Sequence, residues 1–575
     1  MEFNQNVRPP ENIILPQFEP NGSEKAFDML MNELKKGKDA KILVYFDPDI
    51  DGIMSGLIVE EYLIQLGYRN NNYRYYLNEN RAHGFKIPNE KLKLLEGYTI
   101  IAVDFSVEKE DFDRILKAGI NLIVIDHHEI DVHNYTKLDR EYVYSKCSSK
   151  NTYGIILNNQ YPAEPENFRF LSGAGMVYYF LKYVESKTNV PLSVDAAGMV
   201  GISLLSDIRA IESWEARRFL KYTFALDSDR MKFFQWVVTS ENSSSQRFSA
   251  FGVPCLNRDF IDFTFSPRVN AMLRANMGYE VIDLLRGKTS IVNEMKASDR
   301  ILTYINIQKK IISAIMEEVD NAENTPGSRT RNLDNMMVCC LNTDFEPVPN
   351  YDITNYIGVA CSKIKDEDKT GVILVVDKET NMIVRGSLRG GKDGVDYLEI
   401  FKRNGVPSAG HKNAFGILKC DVTKIDFDKI DKEIGEAEKE YFKTQKNTRS
   451  VLEVSRLDFF TKSGIAKQIC KYNELSRDNY RIYVKVKGDF ADKDMHRVKP
   501  DKVSDKFIRY YIDGVCVSCF DPSLDITDSL IVVGTDNNKY IKCTLRQGFE
   551  YDAEVDNEII AKKLNSLSEK TDREE

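Results

Sequence analysis

The chain has 575 residues, a formal net charge of −9, 42% hydrophobic, 29% charged and 11% aromatic residues, so it is long enough for several domains and too apolar to be disordered throughout. The acidic balance excludes a uniformly basic nucleic-acid coat but leaves room for a local basic groove. No apolar run approaches the roughly 20 residues of a membrane helix, the N-terminus lacks the basic-then-apolar pattern of a signal peptide, and ten scattered cysteines do not make a secreted disulfide scaffold, so the cytoplasm is the expected compartment.

An amphipathic helix is predicted from about Glu24 to Leu34. Lys41-Ile-Leu-Val-Tyr-Phe46 is apolar and β-prone and reads as a buried strand. Ile53 to Leu66 carries apolar residues at helical spacing, and Gly67 suits its C-cap. The turn between them, Asp47-Pro-Asp-Ile-Asp-Gly52, crowds Asp47, Asp49 and Asp51. Carboxylates this close raise one another's pKa unless a cation intervenes, and oxygen ligands suit Mg²⁺ or Mn²⁺. On this stretch alone a capped turn and a metal site fit equally well.

Further strands are predicted at Tyr73–Leu77, Tyr98–Val103 and Asn121–Ile125, with helices at Asn89–Leu95 and after Ser106. This alternation implies a mostly parallel, doubly wound sheet. Three of its strands end in Asp47/Asp49/Asp51, Asp104 and Asp126-His127-His128. Ligands bind at the carboxyl ends of strands in such sheets, and that convergence favours a metal over helix caps.

Helices follow over Phe170–Lys187, Val194–Ser206 and Glu215–Leu226. Asp207 closes the second as either an end-cap or an inward ligand. The segment 263–274 reads as a loop entering a helix, with Arg268, Asn270 and Arg274 placed for a phosphate or for surface ion pairs. One long helix spans Ser298–Asn321, and a linker over 324–332 ends it. A second α/β unit then has strands near Met336–Cys340, Gly371–Val376 and Met382–Leu388. Ser387 and Arg389 could meet a phosphate or simply turn the chain. The later glycine-rich run 405–416 puts Gly410 and His411 where backbone can approach a phosphodiester. Alternation at Arg481–Lys487 and a hairpin about Asp513-Gly514 mark a β-rich C-terminal region. Its aromatic and basic outward faces suit either single-stranded nucleic acid or water. Cys516 and Cys519 read as buried structural thiols. The expected division is 1–297, a connecting helix and linker over 298–334, 335–446, 447–565 and a disordered tail over 566–575.

These motifs in this order resemble the DHH phosphoesterase superfamily, and within it the RecJ single-strand exonucleases. Asp47-x-Asp-x-Asp-Gly52, Val103-Asp-Phe-Ser106, Asp126-His-His128 and Leu204-Leu-Ser-Asp207 are similar to its four motifs. Leu77–Phe85, Leu171–Met176 and above all Ser266-Pro-Arg-Val-Asn-Ala271 look RecJ-specific, and 405–416 resembles the glycine–histidine motif of the DHH-associated domain. The resemblance implies an α/β protein with a DHH sheet domain, a long connecting helix, a smaller DHH-associated domain that binds the nucleic-acid strand, and an OB-like C-terminal domain. It implies two Mn²⁺ or Mg²⁺ ions held by Asp49, Asp51, Asp104, His127 and Asp207, with Asp104 bridging and Asp47 available because Tyr45 stands where a histidine is often found. Asp126 would orient His127, and His128, Arg81, Arg268 and His411 would contact phosphate, with Asn270, Arg274, Ser387, Arg389 and Gly410 along the strand path. The implied activity is stepwise 5′→3′ hydrolysis of single-stranded DNA to 5′-mononucleotides in repair, recombination or replication. A monomer, working beside a single-strand-binding protein or helicase, is expected. The alternatives are a phosphodiesterase of short oligoribonucleotides or cyclic dinucleotides, and a DNA-binding scaffold with a dead site.

Overall fold

Apolar β-prone runs flanked by turn residues form the buried strands that place the site. The computed structural model describes residues 8–10, 13–68, 74–78, 84–104, 107–128, 130, 141–144, 151–207, 213–238, 256, 258–287, 294–323, 330–364, 369–391 and 394–444, and in the C-terminal region 451–455, 469, 483–487, 496–498, 508–512, 515–519, 530–536 and 541–546. The chain divides into two compact units, one of residues 1–209 with 218–441, the other of 210–217 with 442–575.

Among the described residues the first unit holds two sheets. Strands β1 (Ile42–Phe46), β2 (Arg74–Leu77), β3 (Thr99–Val103), β4 (Asn121–Asp126), β5 (Glu141–Tyr144) and β6 (Thr152–Asn158) make one sheet in the order β2-β1-β3-β4-β6-β5. All pairs are parallel except β5 with β6. β1 and β3 are buried along their whole length, as strands covered on both faces must be. The registers Phe46↔Val103, Val103↔Ile125 and Asp126↔Asn158 bring the carboxyl ends of β1, β3, β4 and β6 to one edge. Strands β5 and β6 were not anticipated from the sequence.

On one face, helix α1 (Ile50–Gln65) starts with Asp49 accepting a hydrogen bond from Gly52 N at 3.0 Å. It lies so close to β1 that a Cβ on Gly56 would fall 1.5 Å from a ring carbon of Phe46. On the other face, Leu43 and Tyr45 pack with Leu92, Phe112, Ile115 and Leu116 of helices α2 (Asn89–Lys93) and α3 (Lys109–Lys117). Helices α4 (Gly173–Thr188) and α5 (Val194–Ser206) complete the layer of α1, the second with the bounds expected for it.

The second sheet has the order β11-β12-β10-β9-β8-β7, with β7 Arg331–Asn332, β8 Met336–Asn342, β9 Thr370–Val376, β10 Ile383–Arg389, β11 Ser408–His411 and β12 Ala414–Ile417. Only β8 and β9 pair in parallel. The long helix Glu294–Glu323 covers one face, where Ile311, Ile315 and Val319 join Cys339, Leu341, Ile373 and Val375. The glycine-rich run 405–416 is thus largely a hairpin, β11 to β12. Residues 263–274 are not a loop entering a helix. A π-helical turn, Ile261–Phe265, runs straight into helix Ser266–Arg274; inserted turns of this kind occur often at functional sites.

The second unit contains a seven-stranded sheet whose strands include Tyr483–Lys487 and the antiparallel pair Ile508–Ile512 and Val515–Cys519. Ile512 faces Val515, as a two-residue hairpin requires. An OB barrel has five strands. The side chains of Cys516 and Cys519 and the tail over 566–575 lie outside the described residues. No helix among the described residues is long and apolar enough to cross a membrane.

Replacing Gly56 with Ala forces a methyl into the Phe46 ring. Overpacking of this kind costs about 1–3 kcal/mol, so Gly56→Ala should lower the urea midpoint of the first unit. Gly416→Ala, whose added methyl would meet nothing closer than 3.8 Å, should show no such packing loss. Urea titration followed by circular dichroism checks both.

Candidate metal centre

Asp51 is 1% exposed in the first turn of α1, and the protein supplies it with donors. Its Oδ2 accepts from Gly173 N at 2.7 Å, and its Oδ1 from Ala174 N at 2.8 Å and Ser203 Oγ at 2.6 Å. Ser203 Oγ also lies 2.5 Å from Ser172 Oγ. The carboxylate therefore sits on the positive end of α4. Asp104 ends β3 with φ 67°, and its carboxylate is pressed against Gly173, where a Cβ would stand 2.6 Å from Asp104 Oδ1.

His127 Nε2 lies among these groups, 2.9 Å from Asp104 Oδ1, 3.5 Å from Asp51 Oδ2 and 3.8 Å from Asp207 Oδ2. Three sets of donor atoms lie within 4.8 Å of one another: Asp51, His127 and Asp207; Asp104, His127 and His128; and Asp47, Asp49 and Asp104. Among the described residues Asp104 Oδ1 is buried, and its close approach to His127 Nε2 lacks hydrogen-bond geometry. Burial, and next the charge of Asp49, push Asp51 up to about 6. Burial, Asp51 and the other carboxylates push Asp104 well above the usual carboxylate range. Carboxylate oxygens with an imidazole suit Mn²⁺ or Mg²⁺, and a divalent cation removes the repulsion that raises these pKa values.

The Asp126 carboxylate accepts from the His127 backbone N–H and meets the His128 ring. Its Oδ1 is 2.7 Å from His128 Nδ1 and its Oδ2 accepts from Asn158 Nδ2 at 3.1 Å, because the strand ends by turning His127 inward and His128 back over Asp126. Burial pushes Asp126 up, but the His128 charge outweighs it and the net shift is downward. Burial pushes His128 down, but Asp126 outweighs it and raises the imidazole to about 10. With 37% of the His128 side chain exposed, water screens the pair.

From the second sheet, the His411 ring stands 6.5 Å from that of His128 at 15°. Gly410 precedes it in β11. Arg389 donates from Nη1 to Ser387 Oγ at 3.1 Å and to Leu388 O at 2.7 Å at the end of β10. Ser266 Oγ is 2.8 Å from Ser206 Oγ, beside Asp207, which brings the 266–271 segment to the site. Asn270 is half-buried on that helix. Arg274 donates to Gln308 Oε1 at 2.9 Å on the long helix. Arg268 was expected on a phosphate; it is buried, and its guanidinium donates to the carbonyl of Val238. Arg81 lies outside the described residues. Tyr45 is turned to the opposite face, between the rings of Tyr76 and Phe85, with its hydroxyl bonded to Asn78 Oδ1 and accepting from Lys86 N at 3.0 Å. The sequence did not single out Gly173, Ser203 or Asn158 individually, although Leu171–Met176 was marked as a motif and Ser172 is an ordinary N-cap signal.

Residues 41–203 match the family model for the N-terminal domain of the DHH family. That match spans the first sheet and the helices packed on it, and ends just short of Asp207. Two curated relatives each match 69% of this chain and 66% of their own length, slightly under two thirds. One, 23% identical over 424 residues, is YorK of Bacillus subtilis (strain 168), whose name assigns it as an SPbeta prophage-derived single-strand DNA-specific exonuclease. The other, 22% identical over 423 residues, is the single-stranded-DNA-specific exonuclease RecJ of Haemophilus influenzae. Among solved structures, RecJ of Thermus thermophilus in complex with Mn²⁺ aligns over 94% of this chain and 74% of its own, with a TM-score of 0.57 and 16% identity. An exonuclease RecJ bound to manganese aligns over 73% of this chain and 96% of its own, with a TM-score of 0.50 and 17% identity. The fold is RecJ-like.

The electrostatics of the site can be tested without substrate. A cation present at 100 times its dissociation constant stabilises the folded chain by about 2.7 kcal/mol, so Mn²⁺ should raise the melting temperature above that in EDTA. Asp104→Asn, which tolerates φ 67°, should melt higher than the unaltered chain in EDTA and lose the Mn²⁺ response, as differential scanning fluorimetry reads. Asp51 protonates near pH 6 when folded against 3.8 in the ordinary state. A raised carboxylate costs stability above its folded pKa, so in EDTA the chain gains stability as pH falls from about 7 towards 4. In saturating Mn²⁺ the slope reverses, because acid displaces the cation. Urea midpoints across that range check the sign.

Proposed function

We propose that this chain is a metal-dependent phosphodiesterase that removes nucleotides stepwise from an end of single-stranded DNA. The observation that carries the reading is the meeting of Asp51, Asp104, His127 and Asp207 with the Asp47–Asp49 turn at one sheet edge, faced by His128 and His411. The names of the relatives and the RecJ-like fold of this chain support the substrate class.

Asp51, His127 and Asp207 would hold one divalent ion, Asp47 and Asp49 a second, and Asp104 both, Mn²⁺ and Mg²⁺ being the candidates. Such ions, when bound, activate water as a nucleophile and stabilise charge on the scissile phosphate. Asp126 accepts from His128 Nδ1 and favours the imidazolium, in which Nε2 also carries a proton and can donate to a phosphate oxygen. His411 meets the strand from the other side, with Gly410, Ser387 and Arg389 leading away from it. Asn270 and Arg274 line the helix that starts at Ser266, and Arg81 belongs to the phosphate contacts by its motif. Arg268 would have to leave Val238 to reach a phosphate. The proposed direction is 5′→3′, with release of 5′-mononucleotides, by a cytoplasmic monomer acting beside a single-strand-binding protein or helicase in repair, recombination or replication.

The test is one panel of end-labelled single- and double-stranded DNA, short RNA and a cyclic dinucleotide, each with Mn²⁺ or Mg²⁺. Single-stranded DNA should be degraded from one end and duplex DNA spared. Preferential turnover of the cyclic dinucleotide overturns the substrate class, and no turnover of any substrate points to a binding scaffold. Asp51→Ala and His127→Ala should abolish hydrolysis. His128→Ala, which removes a proton donor worth about 10²–10⁴-fold, should lower kcat by that order.

A further inference from the structure

Asn158, Asn159 and Gln160 leave the end of β6 as three consecutive amides, and all three reach parts of the site from behind. We propose that this run is its positioning element: Asn158 fixes the Asp126–His128 pair, and Asn159 with Gln160 fixes the loop that presents the donors to Asp51. The proposal rests on the phosphodiesterase reading for its consequences, and on geometry alone for its structure.

Asn158 is 3% exposed and lies in register with Asp126. Its Oδ1 accepts from Gln160 N at 2.7 Å. That bond sets the sense of the amide, since a backbone N–H can be met only by the oxygen. Nδ2 therefore faces the other way, donating to Asp126 Oδ2 at 3.1 Å and to the His128 carbonyl at 3.1 Å. The second oxygen of Asp126 takes His128 Nδ1 at 2.7 Å and His128 N at 3.3 Å. Both carboxylate oxygens are thus occupied, and His128 is tied by its ring and by its backbone. Nδ1 is kept a donor, which leaves Nε2 for substrate.

The next two amides act in the opposite direction along the chain. Asn159 is fully buried, and its Nδ2 donates to Phe168 O at 2.8 Å and to Leu171 O at 3.4 Å. Gln160 Nε2 donates to Asn159 Oδ1 at 3.0 Å and to Arg169 O at 2.9 Å. These carbonyls span the turn that leads directly into Ser172, Gly173 and Ala174, and the N–H groups of Gly173 and Ala174 hold Asp51. An amide is the side chain this arrangement needs, because each position uses a donor toward an acceptor-rich partner. A carboxylate at 158 would repel Asp126, and an apolar residue would strand it.

The experiment uses the full chain, an end-labelled single-stranded oligonucleotide and Mn²⁺. Loss of an outer partner of this kind typically costs about 10–100-fold. Asn158→Ala should therefore lower kcat by about that factor with KM and Mn²⁺ affinity unchanged, and the isosteric Asn158→Asp should not rescue it. Nitrogen NMR of ¹⁵N-histidine-labelled protein should show His128 Nδ1 carrying a proton in the unaltered chain and shifted in Asn158→Ala. Asn159→Ala should raise about 10-fold the Mn²⁺ concentration needed for half-saturation, read by electron paramagnetic resonance. The proposal is overturned if Asn158→Ala keeps full kcat, if its loss is regained by adding Mn²⁺, or if Asn159→Ala binds Mn²⁺ unchanged. A His128 Nδ1 without a proton in the unaltered chain overturns it with no variant needed. Should the unaltered chain hydrolyse nothing, the phosphodiesterase reading fails while the NMR and Mn²⁺-binding arms still decide the positioning role.

Discussion

Buried negative charge at the carboxyl edge of the first sheet is the constraint to which the surrounding structure answers. Asp47, Asp51 and Asp104 are each 1% exposed, and ionised carboxylates packed this closely destabilise the fold unless something opposes them. The chain opposes them unequally. Asp51 has two backbone N–H groups and a serine hydroxyl, whereas Asp104 Oδ1 faces the nearby imidazole of His127. A parallel sheet makes such crowding possible, because every strand delivers its following residue to the same edge.

The unequal support divides the edge into two halves. Around Asp51 the serine pair 172 and 203 and the N-terminus of α4 form a rigid, prebuilt cradle, and Gly173 is its keystone because no side chain fits between it and Asp104. On the other half, Asp49 spends one carboxylate oxygen on capping α1 through Gly52. Tyr45 turns its ring and hydroxyl to the opposite face of the sheet. In the proposed reaction the two cation positions would accordingly differ in affinity, with the one at Asp51, His127 and Asp207 the better organised.

Much of this is legible in the sequence because strand ends are local signals. An apolar β-prone run followed by Asp predicts both β1 and the ligand position after it, and apolar spacing at 3.6 residues predicts α5 with its observed bounds. What stays hidden depends on side-chain direction. Two adjacent histidines do not reveal which one turns inward, so the sequence pairs Asp126 with His127 when the ring it meets is that of His128. Arg268 sits in a motif that invites a phosphate, yet its guanidinium is spent on the carbonyl of Val238. Strand β6 escapes notice because Tyr153–Leu157 is one apolar run without a period, lying after a long polar stretch, and with it goes Asn158.

In the proposed reaction a chain with net charge −9 would meet phosphate at an acidic centre, and the local balance there differs from the total. Asp126 raises the His128 imidazole to about 10, which favours a positive charge directly beside the carboxylates. His411 brings a second imidazole to the same point from a separate sheet. Cations at the carboxylates would turn the remaining negative charge into attraction, since a divalent ion reverses the sign of the field that a phosphate meets. Binding of metal and binding of an anionic strand would then be coupled by charge: without the cations the edge would repel the strand, and with them the same carboxylates would become the reason it is held.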